Sequence, residues 1–124
     1  MDKSWRTIAA VILALISIEI SAVAAENAKK LSGAQIRAKF AGMQLTDEVH
    51  WRDVYDRDGT LRSYSMGTKK VGKWAIEKDE LCLYLQEPDD GCFEVSLSGR
   101  RIEMKPSGLG LPLEGVLQTP ANRN

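Results

Sequence analysis

The residues best suited to chemistry are few and scattered along the chain. His50 is the only histidine among 124 residues, and Cys82 and Cys92 are the only cysteines. A catalytic or metal-binding histidine needs partner groups that orient it, and the alternating pattern around His50 places it on a polar face beside Glu48. We interpret His50 as a solvated side chain. We also expect no zinc site, because zinc would need two ligands beyond the two sulfurs.

Three other candidate sites fail on spacing. Residues 56–59, Asp-Arg-Asp-Gly, resemble part of a calcium loop, but its first ligand position would be Val54 and its closing glutamate position Ser65. No serine lies in a Gly-x-Ser-x-Gly elbow. The Gly-Leu-Gly at 108–110 lacks the third glycine and the following helix of a phosphate loop. We therefore expect no catalysis, no cofactor and no metal, and we interpret residues 56–59 as a hairpin turn.

The first 25 residues predict a secretory signal peptide. Lys3 and Arg6 form a positive start, residues 8–18 are mostly apolar, and small residues at 21–25 precede a cleavage site before Glu26. The apolar run is too short to span a bilayer, although an uncleaved anchor is the alternative. We expect a periplasmic or secreted protein of a Gram-negative bacterium, without stable membrane insertion after cleavage.

The charge composition excludes one class of partner. The chain has 17 Lys and Arg against 17 Asp and Glu, and removal of the signal peptide takes two of each sign, so the remaining domain is still neutral. Nucleic-acid-binding domains normally carry a surplus of positive charge, and we expect no nucleic acid as partner. With 44% hydrophobic and 27% charged residues, the composition is that of an ordinary globular domain.

The periodicity predicts a mainly β fold. Ser32 and Gln35 form a capping box for a short N-terminal helix over residues 33–41, and residues 43–105 then alternate at period two. We predict a six- to seven-stranded antiparallel meander, either a twisted sheet or a partly closed barrel. The predicted domains are the signal peptide (1–25), an N-terminal extension (26–30), a single β-rich domain (31–117) and a flexible tail (118–124).

A register follows from the turns placed at 56–59, 67–71, 78–79 and 98–99. It sets Trp51 opposite Tyr64, Tyr64 opposite Trp74, and Trp74 opposite Leu83, so that the four lie in one row. The row is either packed core or the floor of a ligand site, and both readings stay open. The pair Asp53 and Arg62 would lie at the rim of such a site.

The same register brings the two cysteines together. If the next hairpin turns around residues 86–90, Cys82 lies directly opposite Cys92, at a separation that a disulfide accepts. A tighter turn on residues 87–90 would separate them. We predict the disulfide, since export leads to an oxidising compartment.

The succession of a capped helix, Asp58-Gly59-Thr60, Gly72-Lys73-Trp74, the two cysteines and Ser98-Gly99 resembles small exported alpha-proteobacterial proteins of unknown function. This resemblance covers about residues 31–105 and implies no catalytic residue or ligand. The stretch from Gly72 to Cys82 is also similar to periplasmic metalloprotease inhibitors of the small β-barrel type, although here the cysteines lie only ten residues apart.

The sequence therefore favours a binding or structural module without catalysis. Its partner would be a small apolar ligand or an envelope or secreted protein. The alternative is a periplasmic inhibitor of a secreted or host enzyme, and a small hydrolase is a distant third.

Overall fold

A computed structural model describes residues 27–88 and 90–121. The predicted signal peptide, Asp89 and the end of the predicted tail lie outside these residues. The elements in chain order are β1 (Lys29–Lys30), α1 (Gly33–Phe40), β2 (Met43–Thr46), β3 (Trp51–Tyr55), β4 (Thr60–Ser65), β5 (Thr68–Glu77), β6 (Glu80–Tyr84), β7 (Gly91–Ser98), β8 (Arg101–Pro106) and β9 (Leu113–Gln118).

Strands β2 to β9 form a closed barrel. Each pairs antiparallel with the next in chain order, and β9 returns to pair with β2, with Leu117 opposite Leu45. The short β1 pairs antiparallel with β7 along the same edge as β6, past the last residue of β7 that pairs with β6, with Lys29 opposite Leu97. The predicted antiparallel meander with one helix is confirmed, and of the two forms left open the sheet adopts the closed one.

Helix α1 plugs one end of the barrel. Ser32 is its N-cap and exchanges hydrogen bonds with Gln35, as the capping box predicts. Ile36 and Phe40 are fully buried, and the Phe40 ring meets Tyr55 edge-on at 5.0 Å. The backbone N–H of Gly33 donates to the Asp79 carboxylate at 2.6 Å. No helix among the described residues has the length and apolar character to cross a membrane.

Successive hairpins lie at alternate ends of the barrel. The turns at 56–59, 78–79 and 99–100 share the end that α1 covers, which we call the plugged end. The connections at 47–50, 66–67, 85–90 and 107–112 share the opposite end, which we call the open end. Most of the fully buried core faces inward from the strands, including Leu45, Tyr55, Leu61, Leu81, Val95, Ile102 and Met104.

The predicted register is confirmed across β5, β6 and β7. Trp74 lies opposite Leu83, Leu81 opposite Phe93, and Cys82 opposite Cys92. The two cysteines form the predicted disulfide on the outer side of the sheet.

Elsewhere the predicted register is wrong. Trp51 lies opposite Ser65 instead of Tyr64, because the pairing resumes one residue later after the turn at 56–59. Tyr64 lies opposite Lys69 instead of Trp74, because the chain reverses at Met66 and Gly67 and not over residues 67–71.

The remaining differences concern strand and domain limits. A turn at 47–50 splits the predicted first strand into β2 and β3, and the β7–β8 turn uses residues 99–100, which shifts that pairing by two. Gln118, predicted to begin a flexible tail, instead ends β9 opposite Gln44. Lys29 and Lys30, predicted as an extension, belong to the sheet.

A cavity inside the barrel is the candidate functional site

The open end leads into a cavity of about 990 Å³ between the strands. Alternation along each strand points one set of side chains into it, because residues two apart share a face. Four consecutive strands and their connections supply a mainly apolar wall, formed by Leu83, Leu85, Phe93, Pro106 and Leu113. No residue of α1 lines the cavity, and the other end of the barrel is filled by the buried core and α1.

Asp53 is the buried charged group of this pocket. It lies on β3 and is only 8% exposed, and Ser63 stands directly opposite on β4. Burial raises the pKa of the Asp53 carboxyl, and the hydrogen bond with the Ser63 side chain offsets this only in part. Leu45, opposite Asp53 on the β2 side, is apolar and fully buried.

A second buried polar group lies next to Asp53. Tyr55, two residues along β3, faces the same side of the sheet, and its hydroxyl has no hydrogen-bond partner among the described residues. Burial raises the pKa of Tyr55 well above its ordinary value, and the negative charge of Asp53 adds to this effect. Tyr55 does not line the cavity, so of the two buried groups only Asp53 offers hydrogen-bonding capacity to a ligand.

The mouth of the cavity carries charged side chains. Lys70 lies opposite Ser63 on β5 and forms an ion pair with Glu87. The Asp90 carboxylate accepts hydrogen bonds from the backbone N–H groups of Leu85, at 2.8 Å, and Gln86, at 2.5 Å, which fixes the 85–90 connection. The described cavity lining therefore holds three acidic side chains and one basic side chain.

The 107–112 connection completes the mouth with apolar groups. Leu109 and Leu111 both line the cavity entrance and are almost entirely exposed to solvent. Val49 and Met66, at the tips of two other open-end turns, are also exposed. The open end is thus the more apolar face of the barrel surface.

A shallower groove of about 420 Å³ lies outside the barrel near the same end. Two of its polar groups have partners: the Arg52 guanidinium lies 3.8 Å from the Tyr64 ring centre, and His50 Nδ1 lies 2.8 Å from the Asp47 carboxylate. Desolvation acts to raise the pKa of Asp47, but hydrogen bonds from the backbone N–H groups of Trp51, Val49 and His50 and from the His50 side chain together lower it. Asp47 holds the 47–50 turn, and His50 is exposed beside it rather than beside Glu48.

The structure does not bring the predicted ligand floor onto one face. Tyr64 lies on the outer face, stacked with Arg52. Trp74 is buried at the plugged end, where its Nε1 donates to the backbone oxygen of Asp56 at 2.8 Å. Trp51 is half-buried and packs against the core. Of the predicted row, only Leu83 lines the interior cavity.

The predicted rim pair is also separated. Arg62 lies on the outer face and forms two hydrogen bonds with Asp56, at 2.8 and 2.9 Å, which raise the pKa of Arg62. Asp53 faces the interior instead. The wrong β3–β4 register caused this error, since a shift of one residue moves a side chain to the opposite face. It also concealed Ser63, the actual partner of Asp53.

One group of metal-ligand side chains occurs among the described residues, formed by Glu77, Cys82 and Cys92. The disulfide occupies both sulfurs, so this group offers no thiolate to a metal.

Comparisons with protein-family models, with curated proteins and with solved structures gave no match for this chain. What the cavity can bind is therefore inferred from its residues and dimensions.

Proposed function

We propose that this protein is an exported binding protein that holds one small, mainly apolar molecule inside its barrel. The observation that carries the proposal is the cavity of about 990 Å³ at the open end of the barrel, with the filled core below it. Ligand pockets in proteins commonly have volumes of roughly 300–1,000 Å³, with apolar walls and a few polar groups. Eight-stranded barrels are wide enough to hold one small ligand.

Export is part of the proposal. The signal-peptide pattern of residues 1–25 supports it, and a disulfide between Cys82 and Cys92 is compatible with an oxidising compartment. The periplasm of a Gram-negative bacterium satisfies both. A carrier or scavenger of a poorly soluble molecule would be useful there.

The test is a titration with N-phenyl-1-naphthylamine, an uncharged dye whose emission rises in apolar surroundings. The variant Leu85→Trp places a larger side chain into the cavity, and Tyr84→Trp places the same side chain on the outer face of the neighbouring position. We expect saturable binding to the unmodified protein, with affinity at least about tenfold weaker in Leu85→Trp and unchanged in Tyr84→Trp. Absence of saturable binding, or equal losses in both variants, would contradict the proposal.

Inhibition of a secreted or host enzyme is the second candidate. The exposed side chains Val49, Met66, Leu109 and Leu111, all in open-end connections, favour it, because exposed apolar clusters mark interaction sites. The double variant Val49→Ser and Met66→Ser, at two exposed positions outside the cavity lining, separates the two functions. The inhibitor function is supported if the unmodified protein inhibits a purified secreted protease and the double variant loses that inhibition while still binding the dye. It is contradicted if the unmodified protein inhibits no protease.

A further inference from the structure

We propose that the molecule bound in the cavity is a cationic amphiphile, an apolar body carrying one protonated amine, and that the amine pairs with Asp53. This inference rests on the proposed function and names the chemical class of the ligand. It follows from the position of one carboxyl group, from the charges around it and from the wall opposite.

Asp53 is the buried charged side chain of the cavity lining. The carboxyl is nine-tenths buried, lines the cavity and has no ion-pair partner among the described residues. Its hydrogen-bond partner is the Ser63 side chain, which supplies no positive charge. A buried carboxylate without a cation is unfavourable, and a ligand ammonium group would remove that cost through a charge-assisted hydrogen bond.

The other charged groups of the cavity favour the same sign of ligand. Lys70 is the single basic side chain of the described lining, and Glu87 already neutralises it. Asp90 adds a further negative charge at the mouth. A cation entering the pocket therefore moves toward a net negative lining, while a carboxylate ligand would have to displace Glu87 from Lys70.

The wall opposite Asp53 fits the rest of an amphiphile. Leu83, Leu85, Phe93 and Leu113 present only hydrocarbon to the cavity. A flexible alkyl or ring body of a ligand can be buried there, at about 25 cal/mol for each Å² of apolar surface removed from water. The single polar requirement then falls on the ligand group that reaches Asp53.

The test uses three probes with the same ten-carbon chain, n-decylamine, n-decanol and decanoate, each in competition with the dye at neutral pH and below its micelle concentration. The unmodified protein is expected to bind decylamine at least about tenfold more tightly than decanol, and decanoate least tightly. Asp53→Asn keeps the side-chain shape and removes the charge. It is expected to abolish the preference for the amine while leaving the decanol affinity unchanged.

Glu103→Gln is the matched control, because it removes the same charge from the outer face of β8. It should leave all three affinities unchanged. The inference is overturned if decylamine and decanol bind equally well, if Asp53→Asn weakens both to the same extent, or if decanoate binds best. Failure of the dye itself to bind would instead remove the proposed function, so the two failures are distinguishable.

Discussion

Replacing Asp53 with asparagine should make the unliganded protein more stable at neutral pH. Asp53 is 8% exposed and faces Ser63 from β4 and the apolar Leu45 from β2. Asparagine has the same shape and can still accept a hydrogen bond from Ser63, but it carries no charge. Removing a buried, uncompensated charge is expected to raise the free energy of unfolding by about 1–3 kcal/mol.

The pH dependence fixes the sign of this prediction. Burial raises the pKa of Asp53 in the folded state, so the unfolded chain loses this proton at a lower pH than the folded protein does. Below the unfolded-state pKa, about 3.9, both states are protonated and the carboxyl has no cost. As the pH rises from there through the folded-state pKa, stability falls, and it then becomes constant. The advantage of Asp53→Asn must therefore grow over that window.

The assay is urea unfolding of both proteins at a series of pH values from about 4 to 8, followed by tryptophan emission. The other charged groups near the cavity, Lys70, Glu87 and Asp90, are common to both proteins, as is Tyr55, so the difference between the two curves isolates Asp53. Glu103→Gln removes a surface charge opposite Glu114 and should change stability by no more than about 0.5 kcal/mol at any pH. The reasoning is refuted if Asp53→Asn is the less stable protein at neutral pH, or if its difference does not change with pH.

Three further predictions concern stability. Replacing both Cys82 and Cys92 with serine should lower the free energy of unfolding by about 3 kcal/mol, because the bond closes a loop of about 11 residues; an unchanged urea midpoint would contradict this. Phe40→Ala, in α1, should lower the free energy of unfolding by about 3–5 kcal/mol in the same assay, and Phe40→Leu should lower it much less. Equal urea midpoints for the two variants would contradict the packing of α1 against the barrel core. Gly72→Ala should cost about 3 kcal/mol or more, because its Cβ would lie 2.0 Å from a backbone oxygen of β6, while Gly108→Ala, in open space, should be neutral; a neutral Gly72→Ala would contradict the close approach of β5 and β6.

The elements that sequence reasoning predicted well carry local signals. Ser32 and Gln35 mark the start of α1, because the capping box is formed by hydrogen bonds between residues only three apart in the sequence. The turn at Lys78 and Asp79 lies between two clearly alternating strands, so only one reversal keeps Ile76 and Leu81 on the same face. Cys82 then faces Cys92 if the next hairpin turns around residues 86–90, and the structure has that pairing and not the tighter turn.

The errors arose where the turn residues gave a weak or misleading signal. Met66 and Gly67 both adopt positive φ angles, 50° and 83°, in a two-residue turn, but methionine is unusual at such a position. The predicted loop at 67–71 makes Gly72 the first residue of the next strand, whereas the structure has it inside β5, where glycine is needed because β5 passes so close to β6. At 47–50 there is no glycine or proline, and the Asp47 carboxylate makes the turn by accepting backbone hydrogen bonds.

The candidate site was beyond the reach of the sequence for a related reason. A cavity exists only if the sheet closes, and closure depends on the pairing of β9 with β2, two strands about 70 residues apart. An error of one residue in the predicted register between β3 and β4 pairs Asp53 with Arg62 instead of Ser63. The chemical elements of the site, an acidic residue among alternating apolar residues, were visible, but the face to which they belong was not.

The most direct test of the central claim, that the barrel interior binds the ligand, is an NMR titration of methyl-labelled protein with n-decylamine. The interior site predicts saturable shifts, and nuclear Overhauser contacts from the alkyl chain, at the methyl groups of Leu83, Leu85 and Leu113, with little change at Leu61 in the core nearer the plugged end. Shifts confined to Val49 and Met66 would place the molecule in the outer groove and contradict the claim.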